Sequence, residues 1–210
     1  VMNTLLVTGR KIEDTKFVFA GAGAGGIASA KLLMDQGATH VTLVDSVGVI
    51  SRDRTNLTAV KSSMLDTTNP DNLSGDLAEA MLGADVFIGL AAADTVSAQM
   101  VTSMAKDPIV FAMANPIPEI WPDVARAAGA AVVGTGRSDF PNQVNNSLVF
   151  PGVFRGALDC HATRVTTRMK LAAANALAAL VAEPTPENVL PWSLDRQVAQ
   201  TVAQAVSGAA

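Results

Sequence analysis

The sequence predicts an α/β fold with a doubly wound, mostly parallel sheet and extra helices toward the C-terminus. Three observations carry that prediction. Short apolar, β-branched runs alternate with alanine-rich stretches of helical length along all 210 residues. Strands apolar on both faces belong to a parallel sheet covered on both sides. A glycine-rich turn, F-A-G-A-G-A-G-G at 19–26, separates the first strand from the first helix, and an acid, Asp45, closes the second strand. Right-handed crossovers then wind such units into one open sheet.

The elements follow in order. Lys16 to Ala20 reads as a buried strand, Gly23 to Gln36 as a helix ended by Gly37, and Thr39 to Asp45 as the second strand. The polar stretch Ile50 to Asn72 carries no clear period. Asp76 to Leu82 reads as a short helix, Asp85 to Leu90 as a strand, Ser97 to Ala105 as a helix and Ile109 to Ala114 as a strand. Pro118 to Ala128 is helical, with Pro122 tolerated near its first turn. A short strand, Ala130 to Val133, precedes helices at Asn146 to Asp159, Thr163 to Val181 (Thr163 as N-cap) and Asp195 to Val206. Residues 1–210 are expected to form one dinucleotide-binding domain, with 184–210 a helical extension packed on it.

Composition excludes several classes. At 49% hydrophobic residues the chain is too apolar for disorder. A net charge of -4 speaks against a nucleic-acid partner. No apolar run reaches the roughly 18 residues of a membrane helix, so no membrane partner is expected, nor a signal peptide. A single cysteine, Cys160, excludes an intramolecular disulfide and suits a cytoplasmic protein.

Gly21, Gly23 and Gly26 make G-x-G-x-x-G in the context its mechanism demands, after a strand and before a helix. This is the Rossmann-type turn. Gly21 permits the tight bend, Gly23 lets the backbone approach a pyrophosphate, and Gly26 allows close packing. The pyrophosphate would lie on the N–H groups that open the helix. Asp45 stands 19 residues beyond Gly26, where an acid accepts hydrogen bonds from the adenosine ribose, with Ser46 beside it. Such an acid favours NAD by repelling a 2′-phosphate. Arg52 and Arg54 follow closely, however, and a basic side chain folding back would admit NADP.

Three further loops are expected at the carboxyl ends of the strands, where ligands bind in this fold. Ala91 and Ala92 are small enough for a nicotinamide or ribose to lie close. Asn115, before Pro116, offers a donor and an acceptor to a substrate. The segment 134–152 holds four amides, Asn142, Gln143, Asn145 and Asn146. One of them is explained as an N-cap; together they suit a carboxylate or carboxamide. His40, His161 and Cys160 lack metal-ligand spacing. Lys106 and Lys170 read as solvated charges. Arg137 is expected to pair with Asp139 across a turn, and Arg155 with Asp159 along a helix.

Several segments together resemble one family. K-F-V-F-A-G-A-G-A-G-G-I-A, V-D-S-V-G-V-I, G-A-D-V-F-I-G, A-K-D-P-I-V-F-A-M-A-N-P-I-P-E-I and G-R-S-D-F-P-N-Q-V-N-N-S-L-V-F-P-G-V-F-R-G-A-L-D are similar to the cofactor domain of prokaryotic malic enzymes. Phe140 stands where that family commonly has tyrosine. The resemblance implies oxidation of L-malate to pyruvate and CO2, with hydride transfer to NAD or NADP. It also implies a Mg2+ or Mn2+ ion that polarises the developing carbonyl. Gly21, Gly23, Ala24 and Gly26 match the family's pyrophosphate loop and Asp45 its ribose acid. Asn115 and Asn146 match substrate-touching asparagines, and Asn145 a cofactor contact. The family's catalytic tyrosine and lysine lie in an N-terminal domain, and its acidic metal ligands lie there or in the segment just upstream of Val1. This chain has no tyrosine. It is therefore expected to hold the cofactor without turning over malate alone, and to work within a homo-oligomer, a dimer or larger. Two other readings stay open: the cofactor domain of another NAD(P)-dependent dehydrogenase, and a non-catalytic dinucleotide-binding module.

Overall fold

The computed structural model describes residues 1–210. Its centre is a six-stranded sheet: β1 (Lys16–Ala20), β2 (His40–Asp45), β3 (Gly48–Val49), β4 (Val86–Gly89), β5 (Ile109–Ala112) and β6 (Val132–Thr135), in the order β3-β2-β1-β4-β5-β6. Five strands are parallel; β3 runs antiparallel to β2 as a two-residue edge. The predicted mostly parallel, doubly wound sheet is thus the one observed. The order of the strands changes sense at the parallel β1/β4 pair, where Ala20 lies opposite both Val44 and Gly89. That is the switch point of an open sheet, the place where a crevice opens.

Each strand alternates between two buried layers. Phe17, Phe19, Val41, Leu43, Val86, Ile88, Ile109 and Phe111 face one side, with Ile27 and Ala30 of α2 (Ala24–Asp35) and Met64 of α3 (Ala59–Met64). Val18, Ala20, Val44, Phe87, Val110 and Ala112 face the other. There they meet α4 (Leu77–Met81), α5 (Ala98–Thr102) and α6 (Pro122–Ala127) through Met81, Val101 and Ala125. With period 2 and both faces covered, the central strands are mostly apolar, and β4 and β5 entirely so.

A third apolar cluster joins α7 (Phe150–Asp159), α8 (Thr167–Ala179) and α9 (Arg196–Gly208) through Met169, Leu177, Val198, Val202 and Val206. Gly152 and Gly156 of α7 let α9 approach closely. A Cβ at Gly152 would fall 2.6 Å from the Val202 Cβ. A short α1 (Met2–Thr8) packs Leu5 on the first layer. No helix is long and apolar enough to cross a membrane.

Several boundaries differ from expectation. The predicted helix at Pro118 to Ala128 starts only at Pro122, because the Pro118 and Glu119 carbonyls accept the Asp94 and Val96 N–H groups instead. The predicted helix at Asn146 to Asp159 is a 3-10 turn, Asn146–Leu148, followed by α7. Thr163 is not a cap. The cap is Thr166, whose hydroxyl accepts the Met169 N–H at 3.2 Å. The Ala162 N–H closes α7 onto Ala157, which delays the next helix by three residues. The stretch without a period contains α3, capped by Thr58.

Candidate functional site: a dinucleotide crevice

The glycine turn runs from the end of β1 into α2 at the switch point. Gly21 has φ 111°, the left-handed side that favours glycine, and a Cβ there would fall 2.5 Å from the Leu90 carbonyl oxygen. A Cβ on Gly26 would collide with the Gly21 carbonyl. These two glycines are therefore required by the fold itself. Gly23 is different. Its φ is -85°, open to any residue, and nothing lies within 4 Å of where its Cβ would be. Gly23, Ala24 and Gly25 are exposed. No side chain caps α2 and no acid occupies its first turn, so its leading N–H groups face the open crevice. A 12-residue helix opening this way presents partial positive charge and unpaired donors to an anion. The cradle fits a pyrophosphate.

Asp45 ends β2 with a side chain only 7% exposed. Arg54 folds back onto it with two bonds, Nη1 to Oδ1 at 2.8 Å and Nη2 to Oδ2 at 3.2 Å. Lys61, from α3, reaches Oδ2 at 2.5 Å. The Val47 and Gly48 N–H groups donate to Oδ1 at 2.9 and 3.3 Å. Burial by itself would raise the Asp45 pKa. The Arg54 and Lys61 hydrogen bonds, the Val47 N–H and the Lys61 charge outweigh it and hold the carboxyl well below the usual carboxylate range. One anion facing two cations leaves the cluster with a net charge of +1. Arg52, the other basic candidate, is spent elsewhere, on the Asn69 and Leu65 carbonyls. Ser46 is exposed at the tip of the β2–β3 hairpin.

The remaining loops converge on the same end of the sheet. Ala91 and Ala92 are exposed beyond β4. Asn115 is exposed beyond β5, in a cis peptide bond with Pro116, and packs against Gly136, where a Cβ would fall 2.6 Å from its Nδ2. Arg137 spans two loops: it donates to the Pro116 carbonyl at 2.9 Å, pairs with Asp139 at 2.8 Å, and lies over the Trp121 ring. Of the four amides, two serve the fold. Asn142 is buried, with φ 55°, and bonds Val133, Pro186 and Val189 backbone atoms. Asn145 caps the 3-10 turn through the Ser147 N–H at 3.0 Å. Asn146 is exposed, and its side chain makes no hydrogen bond within the chain. An apolar hollow of about 320 Å³ lies over Phe19, Ile88 and Phe111 between α2 and α8, with Met113 and Val144 in its wall. It has no convergent polar groups.

No three His, Cys, Asp or Glu side chains come together as a metal site. The residues of these 210 positions do not form a cage for Mg2+ or Mn2+. His40 bonds Thr39, and Cys160 is a free, half-buried thiol bonded weakly to the Ala157 carbonyl. The Arg155–Asp159 pair forms on α7 as expected.

The family model for the malic enzyme NAD-binding domain matches residues 1–210. The chain belongs to the malic enzyme family, as its NAD-binding domain. It is 50% identical to the bifunctional malic/malolactic enzyme of Bacillus subtilis, over the whole chain and 52% of that protein. It is 47% identical to the NAD-dependent malic enzyme of Geobacillus stearothermophilus, over the whole chain and 44% of that protein. The NADP-dependent malic enzyme of Rhizobium meliloti is 48% identical over 90% of the chain and 25% of its own length. Among solved structures, the NAD-dependent malic enzyme of Thermotoga maritima superposes with a TM-score of 0.95 at 42% identity, over the whole chain and 55% of its own. The malic enzyme domain thus spans about half the length of the first two of these relatives.

Within this malic enzyme domain the structure brings Gly21, Gly23, Ala24, Gly26, Ala91, Ala92, Asn115, Asn145 and Asn146 to the carboxyl ends of the strands, with Asp45 and Ser46 at the end of β2. Two residues escaped the sequence reading. Lys61 lay in the stretch without a period, 16 residues from the acid it meets. Glu119, fully buried, bonds the Ala91 and Ala114 N–H groups at 3.1 and 3.0 Å. An acid inside the otherwise apolar I-P-E-I-W was the signal available for it.

Proposed function

We propose that this domain holds NAD or NADP for a protein that oxidises L-malate to pyruvate and CO2. The observation that carries the reading is the uncapped N-terminus of α2 behind Gly23, inside a chain matched end to end by the malic enzyme family. The N–H groups of Ala24, Gly25 and Gly26 would hold the pyrophosphate. Gly21 and Gly26 keep the turn tight enough to aim those groups. Bound there, the dinucleotide supplies the hydride acceptor for C2 of malate.

The Asp45–Arg54–Lys61 cluster holds the adenosine end. Its five donors already surround the Asp45 carboxylate, and its net charge is +1. The expected repulsion of a 2′-phosphate is therefore cancelled, and the cluster admits NADP as well as NAD. Asn115 and Asn146, exposed and lightly bonded, orient substrate or carboxamide; Asn145 touches the cofactor beside them. Ala91 and Ala92 leave room for the nicotinamide half. Tyrosine, the acid expected of the family, is absent from these 210 residues. Proton transfer and the divalent metal are thus assigned to the remainder of a longer protein, and the domain alone does not turn over malate.

The test is malate-dependent reduction of NAD and NADP by the full-length protein, with pyruvate measured as product and EDTA as control. Pyruvate formed in step with reduced cofactor supports the reading. Cofactor bound but no pyruvate from malate would favour another dehydrogenase or a non-catalytic module.

A further inference from the structure

Glu119 is the only charged residue in the buried interior, and no lysine, arginine or histidine pairs with it. A buried, unpaired carboxylate is costly to keep, so its hydrogen bonds must compensate. Those bonds are unusual in what they join. One oxygen accepts the Ala91 N–H, in the loop after β4, at 3.1 Å. The other accepts the Ala114 N–H, beside Asn115 in the loop after β5, at 3.0 Å. The Glu119 carbonyl in turn accepts the Val96 N–H at 2.9 Å, and the Pro118 carbonyl the Asp94 N–H at 3.0 Å. Gly89 closes β4 directly beneath the carboxylate, where any Cβ would strike it. The strand end is therefore shaped around this one side chain. A glutamine has a single acceptor and would leave one of the two N–H groups facing its own NH2.

We propose that Glu119 is a positioning residue that fixes the separation of the two crevice loops, the one bearing Ala91 and the one bearing Asn115. It does not touch cofactor or substrate itself. The inference rests on the dinucleotide reading above. Its consequence is selective: the nicotinamide half of the site depends on Glu119, while the adenosine half, built on α2 and the Asp45 cluster, does not.

The experiment uses the full-length protein with Glu119→Gln and, separately, Gly89→Ala, which crowds the carboxylate and leaves its charge in place. Affinity for ADP, affinity for the dinucleotide, and kcat and KM for malate are measured beside far-UV circular dichroism. Losing one charge-assisted bond should weaken the dinucleotide or lower kcat by about tenfold. ADP affinity should stay within about twofold, in line with an independent site. Equal weakening of ADP and dinucleotide, or no change in both dinucleotide affinity and kcat, overturns the proposal. Failure of both variants to fold also overturns it, since the carboxylate would then be a folding element. A wild-type protein that binds neither ligand overturns the dinucleotide reading itself, and this inference with it.

Discussion

Replacing Lys61 with alanine isolates the electrostatics of the cofactor choice. In the wild type Asp45 faces Arg54 and Lys61, and the three side chains sum to +1. Lys61→Ala brings that sum to zero. Asp45 is not orphaned, because both Arg54 bonds and the Val47 and Gly48 N–H groups remain. Lys61 is 26% exposed, so its loss should cost stability about 1 kcal/mol or less. A 2′-phosphate carries about two negative charges and would lose one charge-assisted partner, worth roughly 1.5–3 kcal/mol. NADP affinity should therefore fall by about ten- to a hundredfold. NAD, with a bare 2′-hydroxyl, should change by less than about threefold, within the range of a surface substitution. Calorimetric titration of the full-length protein with each dinucleotide, at two salt concentrations, reads both numbers. The NADP effect should shrink as salt rises, through screening. Equal losses for NAD and NADP, or no loss for either, would refute the charge reasoning.

Three other perturbations test separate links. Asp45 has its folded pKa depressed, so its stabilising contribution is present above the unfolded value near pH 4 and is lost as pH falls below it. The wild-type Tm should therefore drop more steeply below about pH 4 than that of Asp45→Asn, whose acid limb should be flatter in calorimetric scans. Gly152→Ala places a methyl against Val202 in the α7–α9 contact and should cost about 1–3 kcal/mol in urea unfolding; an unchanged midpoint would mean the helices separate freely. Gly26→Ala drives its methyl into the Gly21 carbonyl, so it should lower both Tm and dinucleotide affinity, a joint loss that Gly23 substitutions should not share.

Much of the fold was legible because its strands are buried on both sides. Runs such as Phe17–Ala20 and Val86–Gly89 carry no polar residue, and glycines end the helices between them. The antiparallel β3 was not legible: two residues are too few for a periodic signal, and the hairpin is set by Asp45 bonding Val47 and Gly48. The Thr163 expectation failed because Thr163 and Thr166 both precede the helix, and the closure of α7 at Ala162 leaves the cap to Thr166. At the site, the glycine turn and Asp45 could be found because local geometry dictates their spacing. Lys61 could not, since its partner lies 16 residues away; Glu119 showed only as an acid in an apolar run, and its bond to Ala91, 28 residues away, exists only after the loops close. Likewise four amides in one segment looked equivalent, although packing commits Asn142 to the 185–189 strap and leaves Asn146 free.

Gly23→Val tests the central claim most directly. Its Cβ would enter open space at an ordinary φ, so the fold has no need of a glycine there. A pyrophosphate on the α2 N–H groups does need one. In the full-length protein, the variant should melt within about 0.5 kcal/mol of wild type, as surface substitutions do, yet lose measurable binding of NAD and NADP by calorimetry. Binding that survives at wild-type strength in the folded variant would contradict the account, and would move the cofactor off the glycine turn.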